Sequence, residues 1–361
     1  MIVFHENREI IIMTKLFLSF ILIVANLFFG PASFAQEGAE NNGAVVLIYH
    51  RFGENDVPNT NIRIDQFEAQ IKLLKSGGFN FMSLPDLVVS LKSGKTIPDK
   101  TIVITVDDAY SSIASEGWPR LKAAGIPLTI FVSTDPVDAG FEHYLSWDQL
   151  RQLQSEGVYI AHHTASHLHM VDVEFDVVRS DIERASARFK AELGSIPKII
   201  AYTYGEYSLA LKEQIKQLGF DAAFAQYSSV IHSQSDLFDL PRFPVNEKYG
   251  DLSRFRLISS AKPIITQDVA PQDALIKEAN NPPVYGFTVE SNITNLKSIA
   301  CYPSHQGKAA DVHFIDTNRV EIRLDEAFPN GRNRINCTMP AGGGRWYWLG
   351  KFFYLQGGKL D

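Results

Sequence analysis

The chain has 361 residues, 45% hydrophobic and 21% charged, an ordinary globular balance with ample material for a buried core. That length predicts one large domain with a smaller one rather than a single module. The formal net charge of -7 gives no sign of the broad basic face that phosphate backbones require, so nucleic acid is not an expected partner.

Lys15 to Gly30 read KLFLSFILIVANLFFG, followed by Pro31-Ala32-Ser33-Phe34-Ala35 and then polar Gln36-Glu37-Gly38. A basic start, a short apolar stretch and small residues at Ser33 and Ala35 predict a secretory signal peptide over 1–35, cleaved after Ala35. The competing reading is a membrane anchor, but the run is short for a bilayer span of about 20 apolar residues. The segment MIVFHENREIII is unlike a signal, and Met13 makes a better start. The mature chain is therefore expected to be periplasmic or extracellular, with no stable membrane insertion. Its two cysteines, Cys301 and Cys337, would meet an oxidising compartment and could pair there; two reduced, buried thiols are the alternative.

Residues 36–43 read as a polar linker. Ala44–Tyr49 (AVVLIY) is a strand. Asp65 to Glu68 open a helix whose Phe67, Ile71 and Leu74 share one face, and Gly77-Gly78 end it. Strands are predicted at 101–106, 127–132, 158–161, 199–201, 222–225 and 240–245, with helices between them that include 172–193 and 208–218. Alternating strands and helices imply an α/β fold with a parallel sheet over 44–264, open or closed. The number of units favours a barrel, in which chemistry sits where strands end. Residues 265–283, with their prolines, read as a connection. Residues 284–361 show strand-like runs and turn residues without a helical period, predicting a small all-β domain, a sandwich.

Three strand ends carry reactive side chains. Thr105-Val106-Asp107-Asp108-Ala109-Tyr110 places two carboxylates together, and strand alternation lets one bind a cation while the other stays free as a base. Capping of the next helix is the plainer reading of Asp108. In Ala161-His162-His163-Thr164-Ala165-Ser166-His167-Leu168-His169, four of the ten histidines fall within eight residues. His163 and His167 stand four apart and share a side if the turn is helical, a spacing suited to two imidazoles on one metal; a histidine-rich surface loop is the alternative. A carboxylate with two histidines leaves open positions, as in catalytic zinc sites. The same set suits non-haem iron, but an exported hydrolase is the simpler fit. In Ala201-Tyr202-Thr203-Tyr204-Gly205-Glu206-Tyr207, Gly205 permits a sharp turn whose N–H groups could meet an oxyanion. The aromatics Tyr202 and Tyr207, with Tyr110, are weaker candidates for a sugar-lining role, against plain packing. His50 after the first strand and Arg242 on the last would usually be structural when taken alone.

Together these segments resemble the polysaccharide deacetylase family, also called the NodB-homology or carbohydrate esterase family 4 group. Thr105 to Ala109 look like its Thr-Phe-Asp-Asp-Gly motif, His163-Thr164-Ala165-Ser166-His167 matches His-(Ser/Thr)-x-x-His in full, and Ala201 to Gly205 look like Arg-x-Pro-Tyr-Gly. The Tyr49-His50 pair is similar to the exported subgroup of poly-N-acetylglucosamine deacetylases. The resemblance covers about 44–250 and implies a distorted (β/α)7 barrel. It implies Asp108, His163 and His167 as ligands of a divalent metal, most simply Zn2+. It further implies Asp107 as general base, His50 as general acid, Arg242 as the partner that keeps Asp107 ionised, and the Tyr204 N–H as an oxyanion donor. Ala109 departs from the motif's glycine, Ala201 from its arginine and Thr203 from its proline, so the arginine role is reassigned to Arg242.

The expected reaction is hydrolysis of an N-acetyl or O-acetyl group on an envelope polysaccharide, with the acetylated polymer as partner. Two rivals are a glycosidase, which leaves the histidines unexplained, and a non-catalytic carbohydrate-binding protein with a vestigial barrel. The Trp346-Tyr347-Trp348 run is read as a buried aromatic cluster before a sugar platform.

Overall fold

The computed structural model describes residues 42–290 and 293–357. The expected signal peptide and residues 36–41 of the linker lie outside the described residues.

Seven strands of an eight-stranded parallel sheet form a row in the first half of the molecule, the two-residue Asn80–Phe81 pairing beside it: β1 (Ala44–Tyr49), β2 (Thr101–Asp107), β3 (Leu128–Val132), β4 (Tyr159–His162), β5 (Ile199–Ala201), β6 (Ala222–Phe224) and β7 (Phe243–Pro244). They are hydrogen-bonded in the order β7-β1-β2-β3-β4-β5-β6. A parallel bridge from Phe224 to Leu240 brings the segment leading into β7 against β6, so the row curls into a ring. Every residue of β1 and β2 is buried, as expected of parallel strands covered on both faces. The strand expected at 240–245 contracts to two residues, because Pro241 and Pro244 have no N–H for a ladder.

Helices cover the outside: α1 (Ile64–Ser76), α2 (Leu84–Ser93), α3 (Trp118–Ala124), α4 (Trp147–Ser155), α5 (Phe175–Leu193), α6 (Leu209–Gln217) and α7 (Leu252–Ser259). Their starts follow local chemistry. Ser146 and Gln149 make a reciprocal capping box at α4, and the Ser208 hydroxyl accepts from Leu211 N at α6. This is the distorted parallel-strand barrel of the expected fold class.

The strands of the second half are β8 (Lys262–Pro263), β9 (Thr266–Ala270), β10 (Leu275–Ile276), β11 (Tyr285–Val289), β12 (Ala300–Pro303), β13 (Asp311–Phe314), β14 (Arg319–Arg323), β15 (Gly331–Gly342) and β16 (Arg345–Leu355). One sheet runs β8-β16-β15-β12 with β10 also on β16, and the other runs β9-β11-β14-β13. Phe287, Val320 and Ile322 from one sheet share a core with Ile335, Met339 and Phe353 from the other, which makes a sandwich. Cys301 and Cys337 face each other across β12 and β15 and form a disulfide in that core.

Residues 265–283 are not a bare connection: they carry β9 and β10. Gln267 and Asp268 are exposed in β9, so the strand lacks the apolar alternation that would mark it in sequence. The sandwich and barrel also share one packed unit. Trp348 meets Phe243 edge-on at 5.3 Å, Phe352 stacks on Tyr207 at 5.6 Å, and Arg345 pairs with Asp99 at 2.6 Å.

Candidate active site

The polar residues gather at the C-terminal ends of β1, β2, β4 and β5. Asp107 is the last residue of β2, and Asp108 leaves the strand at φ 75, with Ala109 following at φ 57. Ala109, standing where the family motif has glycine, still adopts the left-handed conformation that glycine adopts freely. After β4 the chain is irregular, with Thr164 at φ 65 and His167 at φ 57, and Tyr204 after β5 is at φ 57. Thus five of the eight non-glycine residues with positive φ among those described lie in these three turns. Backbone held this way persists only where its surroundings fix it, and it concentrates at functional sites. His163 and His167 converge through these left-handed turns, not through the helical turn that their spacing suggested.

Other contacts set the direction of each ligand atom. His163 Nδ1 lies 2.9 Å from the Ala201 carbonyl, which leaves Nε2 facing the cluster. His167 N donates to Thr164 Oγ1 at 3.2 Å. The buried Asp181 carboxylate, on α5, accepts from Ala165 N at 2.8 Å and Ser166 N at 3.2 Å, and Arg184 pairs with its other oxygen at 2.6 Å.

Asp108 Oδ1 lies 3.3 Å from His167 Nε2 and 3.6 Å from His163 Nε2. It is buried without a hydrogen-bond partner. One ligand atom from each of the three residues falls within 4.8 Å of the others. An orphaned carboxylate oxygen facing two imidazole nitrogens is a set of donors that could hold a metal ion. Burial pushes His163 down to about 4, so its imidazole is neutral at physiological pH, the form that ligates.

Asp107 is engaged differently. Arg242 grips it with two parallel hydrogen bonds, Nη1 to Oδ1 at 2.6 Å and Nη2 to Oδ2 at 2.8 Å, and the guanidinium is fully buried. Arg242 Nε donates to the Ala225 carbonyl at 3.0 Å, which fixes the fork's plane. Burial alone would raise the Asp107 carboxyl, but Arg242, with His163 and His50 nearby, holds it below the usual carboxylate range. Burial and His167 oppose each other in the same way at Asp108, with a net lowering. His50 directly follows β1, at the same end of the sheet.

Two sugar-lining candidates fall elsewhere. Tyr202 and Tyr207 are buried, stack on each other at 5.5 Å, and lie beneath the sandwich, where Tyr202 Oη donates to the Phe238 carbonyl. A ring enclosed there does not meet substrate, and packing decides both positions. Tyr110 stays at the rim, with the Arg51 guanidinium 3.4 Å above its ring and Tyr144 beside it at 4.8 Å. Sequence reasoning passed over Asp181, whose only signal is an aspartate inside a helix, and Glu206, Arg332 and Tyr354. His162 is a core residue, packed against Phe189 and Phe220.

This barrel and its strand-tip cluster resemble a polysaccharide deacetylase domain. Residues 94–223 match the family model for polysaccharide deacetylases. The poly-β-1,6-N-acetyl-D-glucosamine N-deacetylase of Staphylococcus aureus is 24% identical over 234 residues, covering 58% of this chain and 80% of that protein. The solved structure of IcaB from Ammonifex degensii superposes with a TM-score of 0.54 at 23% identity, over 61% of this chain and 98% of that one. The Streptococcus pyogenes deacetylase PplD, solved with acetate, gives a TM-score of 0.53 at 21% identity, over 56% of this chain and 92% of that one. At these identities the solved structures establish the fold alone.

Proposed function

We propose that this chain is a metal-dependent hydrolase that removes acetyl groups from a polysaccharide outside the cytoplasm. The observation that carries the reading is the approach of Asp108, His163 and His167 to one point, beside an Asp107 carboxylate locked by Arg242. The named reaction of the staphylococcal relative makes an N-acetylglucosamine polymer the first substrate to try. The signal-like N-terminus supports export.

A divalent cation held by Asp108, His163 and His167, zinc by the chemistry of that donor set, would supply Lewis acidity towards the acetyl carbonyl and towards water. Asp107 accepts the proton of the attacking water. Its two oxygens already accept from Arg242 but keep further lone pairs for that task. Arg242 keeps the carboxylate ionised and fixes its plane. The Tyr204 N–H donates to the tetrahedral oxyanion, a contribution worth about 3–4 kcal/mol in known oxyanion holes. His50 gives a proton to the departing amine nitrogen, which leaves poorly as an anion.

The test is acetate release from a panel of N-acetylated and O-acetylated glycans, with and without chelator. Release that chelator abolishes supports the reading, and a panel with no release under any metal overturns it.

A further inference from the structure

His169, Asp172 and Glu206 also bring ligand atoms within 4.8 Å of one another, and on distance alone would pass for a second cation site. Each is already engaged. Glu206 Oε2 lies 2.8 Å from His169 Nδ1, its Oε1 lies 3.8 Å from Arg332 Nε, and Asp172 Oδ2 accepts from Tyr354 Oη at 2.5 Å. Glu206 is thus a buried carboxylate faced by an imidazole and a guanidinium, and the members of this network come from three parts of the chain.

We propose that the β15–β16 hairpin of the sandwich is a clamp on the loops that carry the active site, with Arg332 and Tyr354 as its positioning residues. The inference rests on the deacetylase reading. Arg332 and Tyr354 are directly opposite residues on adjacent antiparallel strands. One reaches Glu206, which directly follows the Tyr204-Gly205 turn. The other reaches Asp172, at the end of the loop that leaves His167. One cross-strand pair therefore holds both loops at a fixed separation.

What they hold is the wall of the site. The His169 ring lies flat on Tyr204, 3.8 Å between centroids and 5° between planes, and Tyr204 meets His167 edge-on at 4.5 Å. The Arg332 guanidinium lies 5.4 Å from the Tyr204 ring centroid. Two further contacts repeat the arrangement. Gln356 Nε2 donates to the Val171 carbonyl at 3.2 Å, and Arg334 Nε donates to the Gln226 carbonyl at 3.2 Å. Gln226 packs against Gly205 so closely that a Cβ there would fall 2.3 Å from its own. His167 and Tyr204 are both in left-handed backbone at φ 57, a state that neighbouring structure must hold. The sandwich thereby becomes part of the catalytic unit.

The experiment uses the full chain with Tyr354→Phe, Arg332→Ala and Arg332→Lys, measuring kcat, KM, metal content and amide hydrogen exchange. Tyr354→Phe and Arg332→Ala are each expected to lower kcat about tenfold with KM within about twofold, since ångström-scale misplacement costs that order or more. Metal content stays as in the wild type, and Arg332→Lys recovers part of the loss. Exchange at Gly205 and Glu206 speeds up, because their N–H groups close the turn onto the Tyr202 and Thr203 carbonyls. Unchanged kcat and exchange overturn the clamp, including where the melting temperature falls, and so does loss of the metal in either variant. Tyr354→Phe removes a single oxygen and so guards against a result that reports only misfolding. If the wild type releases no acetate, the deacetylase reading fails by itself, and exchange still decides the clamp.

Discussion

Asp107 and Asp108 are neighbours with different surroundings, because the chain turns between them. Asp107 ends β2 with both oxygens gripped by Arg242, whereas Asp108 enters a left-handed turn and leaves Oδ1 facing two imidazoles. If the roles divide as proposed, Asp107→Asn keeps the metal and loses the base. Turnover should fall by about a hundredfold or more, the usual contribution of a general base, with metal content unchanged by elemental analysis. Metal loss in that variant would exchange the two roles. The aspartate pair and the two spaced histidines were legible in sequence because each lies within one short segment at a strand end. The buried Arg242 fork joins residues 135 apart in the chain, and only the likeness to a family suggested it. Tyr202 and Tyr207 misled because a sequence does not say which side of a strand end faces solvent, and here the sandwich covers theirs.

At the scale of elements, α5 and the loop after β4 act together. Asp181 satisfies two N–H groups of the His163–His167 segment, and Arg184 neutralises it. Asp181→Ala leaves those donors without their acceptor, at about 1–3 kcal/mol for each buried one. Metal affinity is expected to fall about tenfold to a hundredfold, as when supporting groups around a metal site are removed, measured by competition with a chelating dye. Affinity equal to the wild type would show that the loop holds its shape without α5. The strand and helix order of the barrel was readable from apolar runs and caps, as at Ser146. The left-handed turns were not, since only Gly205 among these positions advertises them.

For the molecule as a whole, the division into domains proved softer than the composition suggested. β9 and β10 come from what read as a connection, and the last hairpin packs against the barrel through Trp348 and Phe352. The β character of the tail was plain in its short runs and turns, but its docking depends on contacts far apart in sequence. The Cys301–Cys337 disulfide spans 36 residues within the sandwich. Closing a loop of that size is worth roughly 3–4 kcal/mol in the chain-entropy account. The double variant Cys301→Ala/Cys337→Ala should melt several degrees lower by calorimetry, while acetate release well below the transition stays close to wild type. Loss of activity before melting would tie the disulfide to the active-site loops.

The central claim is a single cation gripped by Asp108, His163 and His167, and calorimetric titration of Zn2+ into the metal-stripped full chain tests it most directly. The account predicts one tight site per wild-type chain and none in Asp108→Ala at the same concentrations. Equal binding by the two proteins would contradict it.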